Sequence, residues 1–460
     1  MKKILFTFLA LAVVATSCND KFEDYGINPN SPETVTAALL LTGAEVSTFA
    51  AYSGQLSRLT SMLVQQTAGT SEGSQTQAFA NYTITEADVV NEWSNIYNGS
   101  LNNCVTLINT YGKENPRYAG MAKVLMALNL GLATDLWGDV PNTEAIQALS
   151  GNFNPKYDTQ ESVIANIQTM LDEAITLLGS PAASNKFLPA ADDLIFNGNT
   201  KNWINAAYII KARYANCLST IDPQGSANKA LEYLAKTDST AADMNAVFFD
   251  TGNTYNQWYD YYNNRTNYIK MGKFFIDLLI ANNDPRLPFF ATKDESGAFS
   301  GTPANDQDVT NSSDPGPAIA SADSPIPLVS FMEAKFIQAE ALLRLGRGAD
   351  AAKAYNTAVT SSVEQTTGST ISAEFKKMYA SETAATLTLE KLITQKYIAL
   401  FTQIEPYNDY RRTGFPKLTA NPNSSRKMIP LRLPTSQDER INNPNATVVG
   451  DIYVPVWWDK

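Results

Sequence analysis

The chain has 460 residues, 44% hydrophobic and 18% charged, enough apolar material for a sizeable core in one large domain or a few smaller ones. Its formal net charge is −11 and no basic cluster exceeds Arg411-Arg412, which excludes nucleic acid as a partner, since that ligand needs a basic footprint. With no histidine in the chain, His general bases, Ser-His-Asp or Cys-His nucleophiles and His metal sites are excluded too, while carboxylate chemistry and ligand binding remain open.

Lys2 and Lys3 precede an apolar run, Ile4 to Val14, too short to span a bilayer and suited to a signal peptide over residues 1–17. Ala15-Thr16-Ser17 then places small residues before Cys18. This resembles the lipobox of bacterial lipoproteins, with Ala15 where Leu is more usual, and implies that Cys18 is lipidated. Asp20, Glu23 and Asp24 follow closely, as in lipoproteins exported to the outer face of the outer membrane. Residues 18–30 read as a polar tether and 31–460 as one mostly helical domain. Beyond the leader, no segment reads as a membrane span.

A helix is predicted from Pro32 to about Gly69, then an irregular stretch over 70–91 rich in Gly, Ser, Gln and Thr that carries Phe79 and Tyr82. Helices follow at about 92–110, 116–137, 160–178, 200–219 and 226–236. Trp93 and Tyr97, four apart, read as core. Cys104 and Cys217 each lie on an apolar helix face and read as buried free thiols, although an exported compartment permits a disulfide. Residues 245–266 are irregular and strongly aromatic, 269–281 helical, and 293–327 long surface loops.

Phe331 to Val363 reads as two helices joined at Gly346-Arg347-Gly348. Phe331, Ala334, Ile337, Ala341, Leu342 and Leu345 recur at helical spacing on one face, whereas Glu333, Lys335, Glu340 and Arg344 are expected in solvent. Ala351, Ala354, Tyr355 and Ala358 line the second helix. The pattern is close to a tetratricopeptide repeat, whose period is about 34 residues, and such pairs bury their faces only by stacking. A last helix is predicted at about 387–404, and the chain from Tyr410 is read as irregular.

Together these stretches resemble the SusD/RagB family of outer-membrane nutrient-binding lipoproteins. The resemblance is carried by Phe331 to Gly346, by Lys396 to Pro416 (KYIALFTQIEPYNDYRRTGFP), and by Ile429-Pro430, Arg432-Leu433-Pro434, Glu439 and Asn442 or Asn443. Val456-Trp457-Trp458-Asp459, Trp137 to Pro141 and Asp284 to Phe290 add to it. It spans nearly the whole chain. It implies a scaffold of four tetratricopeptide-like helix pairs and a surface lipoprotein that lids a SusC-like, TonB-dependent β-barrel transporter, capturing oligosaccharides or peptides for uptake.

Most of these motifs read as structural. Arg411 and Arg412 are expected to pair with Asp409 and Glu405, Gly414-Phe415-Pro416 to form a turn, and the Trp457-Trp458 end to seal against the scaffold. The ligand site is expected on the aromatic segment 253–265, which offers Tyr255, Asn256, Trp258, Tyr259, Tyr261, Tyr262 and Arg265, with Phe79 and Tyr82 as second choices. Sugars present flat C–H faces rimmed by hydroxyls, which aromatic platforms flanked by amide and guanidinium donors match. No cofactor is expected, and no metal, because no EF-hand-type spacing occurs. Two other functions stay open: a glycoside hydrolase using two carboxylates, and a protein-interaction scaffold without a small ligand.

Overall fold

Helices begin where a small polar side chain can cap them. Thr36 caps α1 (Ala37–Ser53), its hydroxyl accepting from the Leu39 amide, and Gly54 separates α1 from α2 (Gln55–Leu63). The computed structural model describes residues 35–307 and 311–460, so the leader, Cys18 and the tether lie outside the described residues. After α2 come β1 (Thr67–Gly69), α3 (Gln75–Ala80), α4 (Val90–Ser94), a π-helical segment Asn95–Leu101 and α5 (Asn102–Tyr111). The long first helix expected to Gly69 is therefore two helices and a strand, and the stretch read as irregular holds α3 and a 3-10 turn, Glu86–Val89.

Pro116 opens α6 (Pro116–Trp137) and Thr159 caps α7 (Gln160–Leu178). The 22 residues of α6 are long and apolar enough to cross a membrane, contrary to the sequence reading, but nearly all are buried inside the protein. Next are α8 (Thr200–Cys217), α9 (Pro223–Leu234), β2 (Met244–Ala246), α10 (Gln257–Asn264), β3 (Ile269–Met271), α11 (Lys273–Ala281), α12 (Leu287–Phe290) and β4 (Ile326–Val329). The chain ends with α13 (Phe331–Arg344), α14 (Gly348–Thr367), α15 (Ala373–Tyr379), α16 (Leu389–Ala399), α17 (Glu405–Thr413) and α18 (Gln437–Asn442). Two small antiparallel sheets pin distant segments: β1 pairs with β3, Thr67 opposite Met271, and β2 pairs with β4.

The hairpins α6–α7, α8–α9 and α13–α14 pack in series, and α16 and α17 form a fourth pair, α16 lying against α13 and α14. The described residues make one mostly helical domain, whose main apolar cluster runs from Ala37 in α1 to Trp458. Close approach is needed at Gly131 of α6, where an added Cβ would fall 1.7 Å from the Tyr214 hydroxyl oxygen of α8. Cys104 and Cys217 are buried free thiols, and burial pushes both well above the usual thiol range.

The helix α13 corrects the sequence reading. Glu333 and Glu340, expected in solvent, are fully buried. Arg213 of α8 binds both Glu333 oxygens, at 2.6 Å each, and also donates to the Leu328 carbonyl. Arg412 of α17 grips Glu340 at 2.5 and 2.8 Å and Asp409 at 2.8 Å, while Lys396 reaches Asp409 at 2.8 Å. Arg412 thus pairs with Asp409 as expected, but Glu405 turns to Arg213, 3.5 Å away. Arg411 instead donates to the Asp135 and Leu431 carbonyls and lies over the Tyr407 and Trp458 rings. The segment Glu405 to Thr413, partly read as irregular, is helical: Pro406 sits in its first turn, and it ends at Gly414 with φ 69°.

The tail is sealed at Trp458, whose indole donates to Asp135 of α6 at 3.2 Å and whose carbonyl accepts from Thr220. The WGDVP and RLP stretches form one joint: the Trp137 indole donates to the Pro434 carbonyl at 2.8 Å, and Arg432 donates to the Trp137 carbonyl. Arg286 of the DPR stretch is fully buried on Asp284, with Ser362 and Gln395 completing its shell.

Candidate functional site

The segment expected to be irregular and ligand-binding folds as α10. Asn256 makes the helix possible: its carbonyl oxygen accepts from the amides of Trp258 and Tyr259, at 2.7 and 3.1 Å, and its amide group donates to the Ser324 carbonyl. Asn256 is therefore a fully buried cap with no face for a ligand. A helix of two turns laid on a scaffold must bury one stripe, and in α10 that stripe is Trp258. Its indole donates to the Ser57 hydroxyl at 3.1 Å and its ring meets Phe401 edge-on, leaving 2% exposed. Phe79 and Tyr82 are likewise in the core, Tyr82 accepting from the Asn421 amide through its phenol oxygen. These four residues belong to the scaffold, which corrects the sequence reading.

The remaining aromatics reach the surface. Tyr255 and Tyr259 stand four residues apart with ring centroids 5.6 Å apart and planes tilted by 60°. Tyr261 carries two guanidinium groups near its ring, Arg58 at 4.2 Å and Arg265 at 4.9 Å from the ring centre. Arg265 is exposed. Tyr262 donates its hydroxyl to Asp314 at 2.9 Å, and Asp314 is paired with Lys270 at 2.7 Å. Burial, then the Asp314 charge, pushes the Tyr262 phenol up to about 12, so it stays a donor through the physiological range.

Beneath this surface Arg58 of α2 donates to the Gln257 carbonyl at 3.2 Å and faces Glu92 of α4. Burial holds Arg58 down to about 10 and pushes Glu92 up to about 7, against the pull of the Arg58 charge. Sequence reasoning missed both residues, which lie far from the aromatic segment along the chain. It also missed Phe249, half exposed on the loop before α10, which is closed by the Phe249 amide donating to the Thr254 carbonyl. The arrangement is a cluster of half-buried, mutually tilted tyrosine rings on and just before α10, with hydroxyl, amide and guanidinium donors at its edge. Among the described residues no cluster of metal-ligating side chains occurs.

Known proteins agree with this fold. The chain is similar, at 24% identity and a TM-score of 0.75, to a SusD/RagB family protein of Bacteroides thetaiotaomicron, over 93% of this chain and 99% of that one. It is similar to a chitin-binding SusD homolog from Flavobacterium johnsoniae at 18% identity and a TM-score of 0.77, over 91% of this chain and 98% of that one. A further chitin-binding protein shares 24% identity at a TM-score of 0.78, over 92% of this chain and all of its own. No curated protein matches the chain in sequence. A family model described as starch-binding and associating with the outer membrane matches residues 29–434. With that match over most of its length, joined to the stacked hairpins and the buried motifs above, the chain belongs to the SusD-like family of binding proteins.

Proposed function

We propose that this chain is a nutrient-binding lipoprotein, anchored through Cys18 on the outward face of the outer membrane. It captures oligosaccharides, with peptides as the second ligand class, and delivers them uncleaved to a SusC-like TonB-dependent transporter. Residues 31–460 form the binding domain and residues 18–30 its tether. The observation that carries the reading is the half-buried tyrosine cluster at the start of α10, in which Tyr255 just before the helix and Tyr259 and Tyr261 on it are held in place because Trp258 locks the helix into the core. A saccharide ring stacks on such a surface, and Arg265, Tyr262 and the exposed Asn263 and Asn264 supply hydrogen bonds to its hydroxyls.

The test is calorimetric titration of an oligosaccharide panel into wild type and the Tyr255→Ala/Tyr259→Ala pair. Loss of one good stacking contact is expected to weaken binding about tenfold, some 1.4 kcal/mol, with the melting temperature unchanged. Ligand binding that is indifferent to the double substitution would refute the platform. Product analysis after incubation separates capture from hydrolysis. A β-barrel co-purifying in stoichiometric amount from native outer membranes is the outcome expected for the transporter partner, and a clean monomer counts against it.

A further inference from the structure

A second concavity lies across α4 from the tyrosine surface. On one flank of α4, Glu92 faces Arg58 of α2; on the other, Val90, Trp93 and Ser94 line a groove of about 430 Å³. That volume is in the range of small-molecule sites, about 300–1,000 Å³. Its floor is the stacked pair Trp93 and Tyr97, ring centres 4.6 Å apart. Its inner wall carries Asn98, Asn102, Thr106 and Asn109 along one helical face. The first of these sits in the π-helical segment Asn95–Leu101, a rare conformation found frequently at functional sites. Asn102 and Asn109 are exposed and Thr106 is half-buried, so their polar groups are open to a ligand in the groove.

The outer wall is the loop after α6, and its rim exposes Phe153 (73%) and Leu149 (103%), the two most exposed large apolar side chains described. The loop is braced and needs no ligand to form. Asp158 accepts from the amides of Asn142 and Thr143, and Glu144 from the Lys156 amide. Tyr97 donates to the Pro141 carbonyl, Tyr157 to Glu439 of α18, and Asn443 to the Pro155 carbonyl. Such bracing explains the loop's path but not its two exposed apolar side chains.

No Lys or Arg lines the groove, while Glu144, Asp438 and Glu439 do, so an anionic ligand is disfavoured. A row of neutral amides and a hydroxyl facing apolar side chains suits a ligand with hydroxyl edges and flat C–H faces. We propose that this groove is a second saccharide-binding site, separate from the α10 surface. The inference rests on the saccharide-binding reading but not on the tyrosines that carry it.

Four proteins test it: wild type, Asn102→Ala/Phe153→Ala, Thr106→Trp, which fills the groove from its wall, and Tyr255→Ala/Tyr259→Ala. Each is run by affinity electrophoresis through starch, glycogen, xylan, mannan and pectin, and titrated with chitin oligosaccharides, after thermal melting shows it folded. Weakening of binding by about tenfold, or loss of one of two sites, is expected in both groove variants. Groove variants that bind as wild type while the tyrosine variant does not would overturn the second site and leave the first standing. Wild type that binds none of these saccharides would overturn both.

Discussion

Glu45 on α1 is fully buried, and its environment makes it a strong test of the electrostatics inside this fold. One carboxyl oxygen accepts from the Leu194 amide at 2.9 Å. The other has no hydrogen-bond partner among the described residues. The neighbouring Asp193 is held by the amides of Ile195, Phe196 and Gly198 and by the Trp203 indole. Burial first, then the Asp193 charge, pushes Glu45 from its ordinary 4.5 up to about 10, so it is protonated at neutral pH. The folded state therefore holds a proton that the unfolded chain releases above pH 4.5. Stability falls as pH rises from there toward 10, by about 1.4 kcal/mol per pH unit from this group.

Glu45→Gln keeps the shape, supplies an N–H toward Asp193 and removes the linkage. At pH 7 the variant should be more stable than wild type by up to about 3 kcal/mol, more so at pH 9, and equal to it near pH 4. Urea denaturation at pH 4.5, 6, 7.5 and 9 reads the difference directly. A variant no more stable than wild type at pH 9 would mean that Glu45 is ionised in the native state, and the reasoning would fail.

Trp258→Ala should destabilise the fold by about 3–5 kcal/mol, because it leaves a cavity beside Phe401 and strands the Ser57 hydroxyl; a melting temperature equal to wild type would put the ring back at the surface. Glu333→Ala leaves Arg213 charged and buried and should cost about 3–5 kcal/mol, checked by denaturant midpoints, with a loss below 1 kcal/mol sinking the account of that pair as a core element. Gly131→Ala should be as damaging, since its methyl meets the Tyr214 hydroxyl; tolerance of it in a thermal melt would show that α6 and α8 can separate freely.

Helices with strong punctuation were legible in the sequence. Pro116 and Thr159 mark the starts of α6 and α7 at the residues expected. The hairpin α13–α14 was legible as well, from its small-residue faces. Its charges were not, because helical periodicity assigns every Glu to solvent, and the partners that bury Glu333 and Glu340 lie 120 and 72 residues away. The aromatic segment was legible as a surface by composition alone, but not as a helix, since Tyr and Asn are weak helix formers and a single Asn256 cap decides the matter. Without the helix, nothing in the sequence distinguishes Trp258, which turns inward, from Tyr259, which does not.

The anchoring of Trp458 has a consequence for how the chain matures. Its indole meets Asp135 across 323 residues, and its backbone amide meets Gln160, so the start of the hairpin stack is closed by a residue made long after it. Contacts of such separation form late, because the intervening loop must be closed before they can contribute. A polypeptide emerging from its N-terminus can assemble its hairpins yet keeps Asp135 and Arg411 uncovered until Trp458 arrives. A product that stops before Trp458 is therefore left with an open, charged seam at Asp135 and Arg411, where proteases find a foothold.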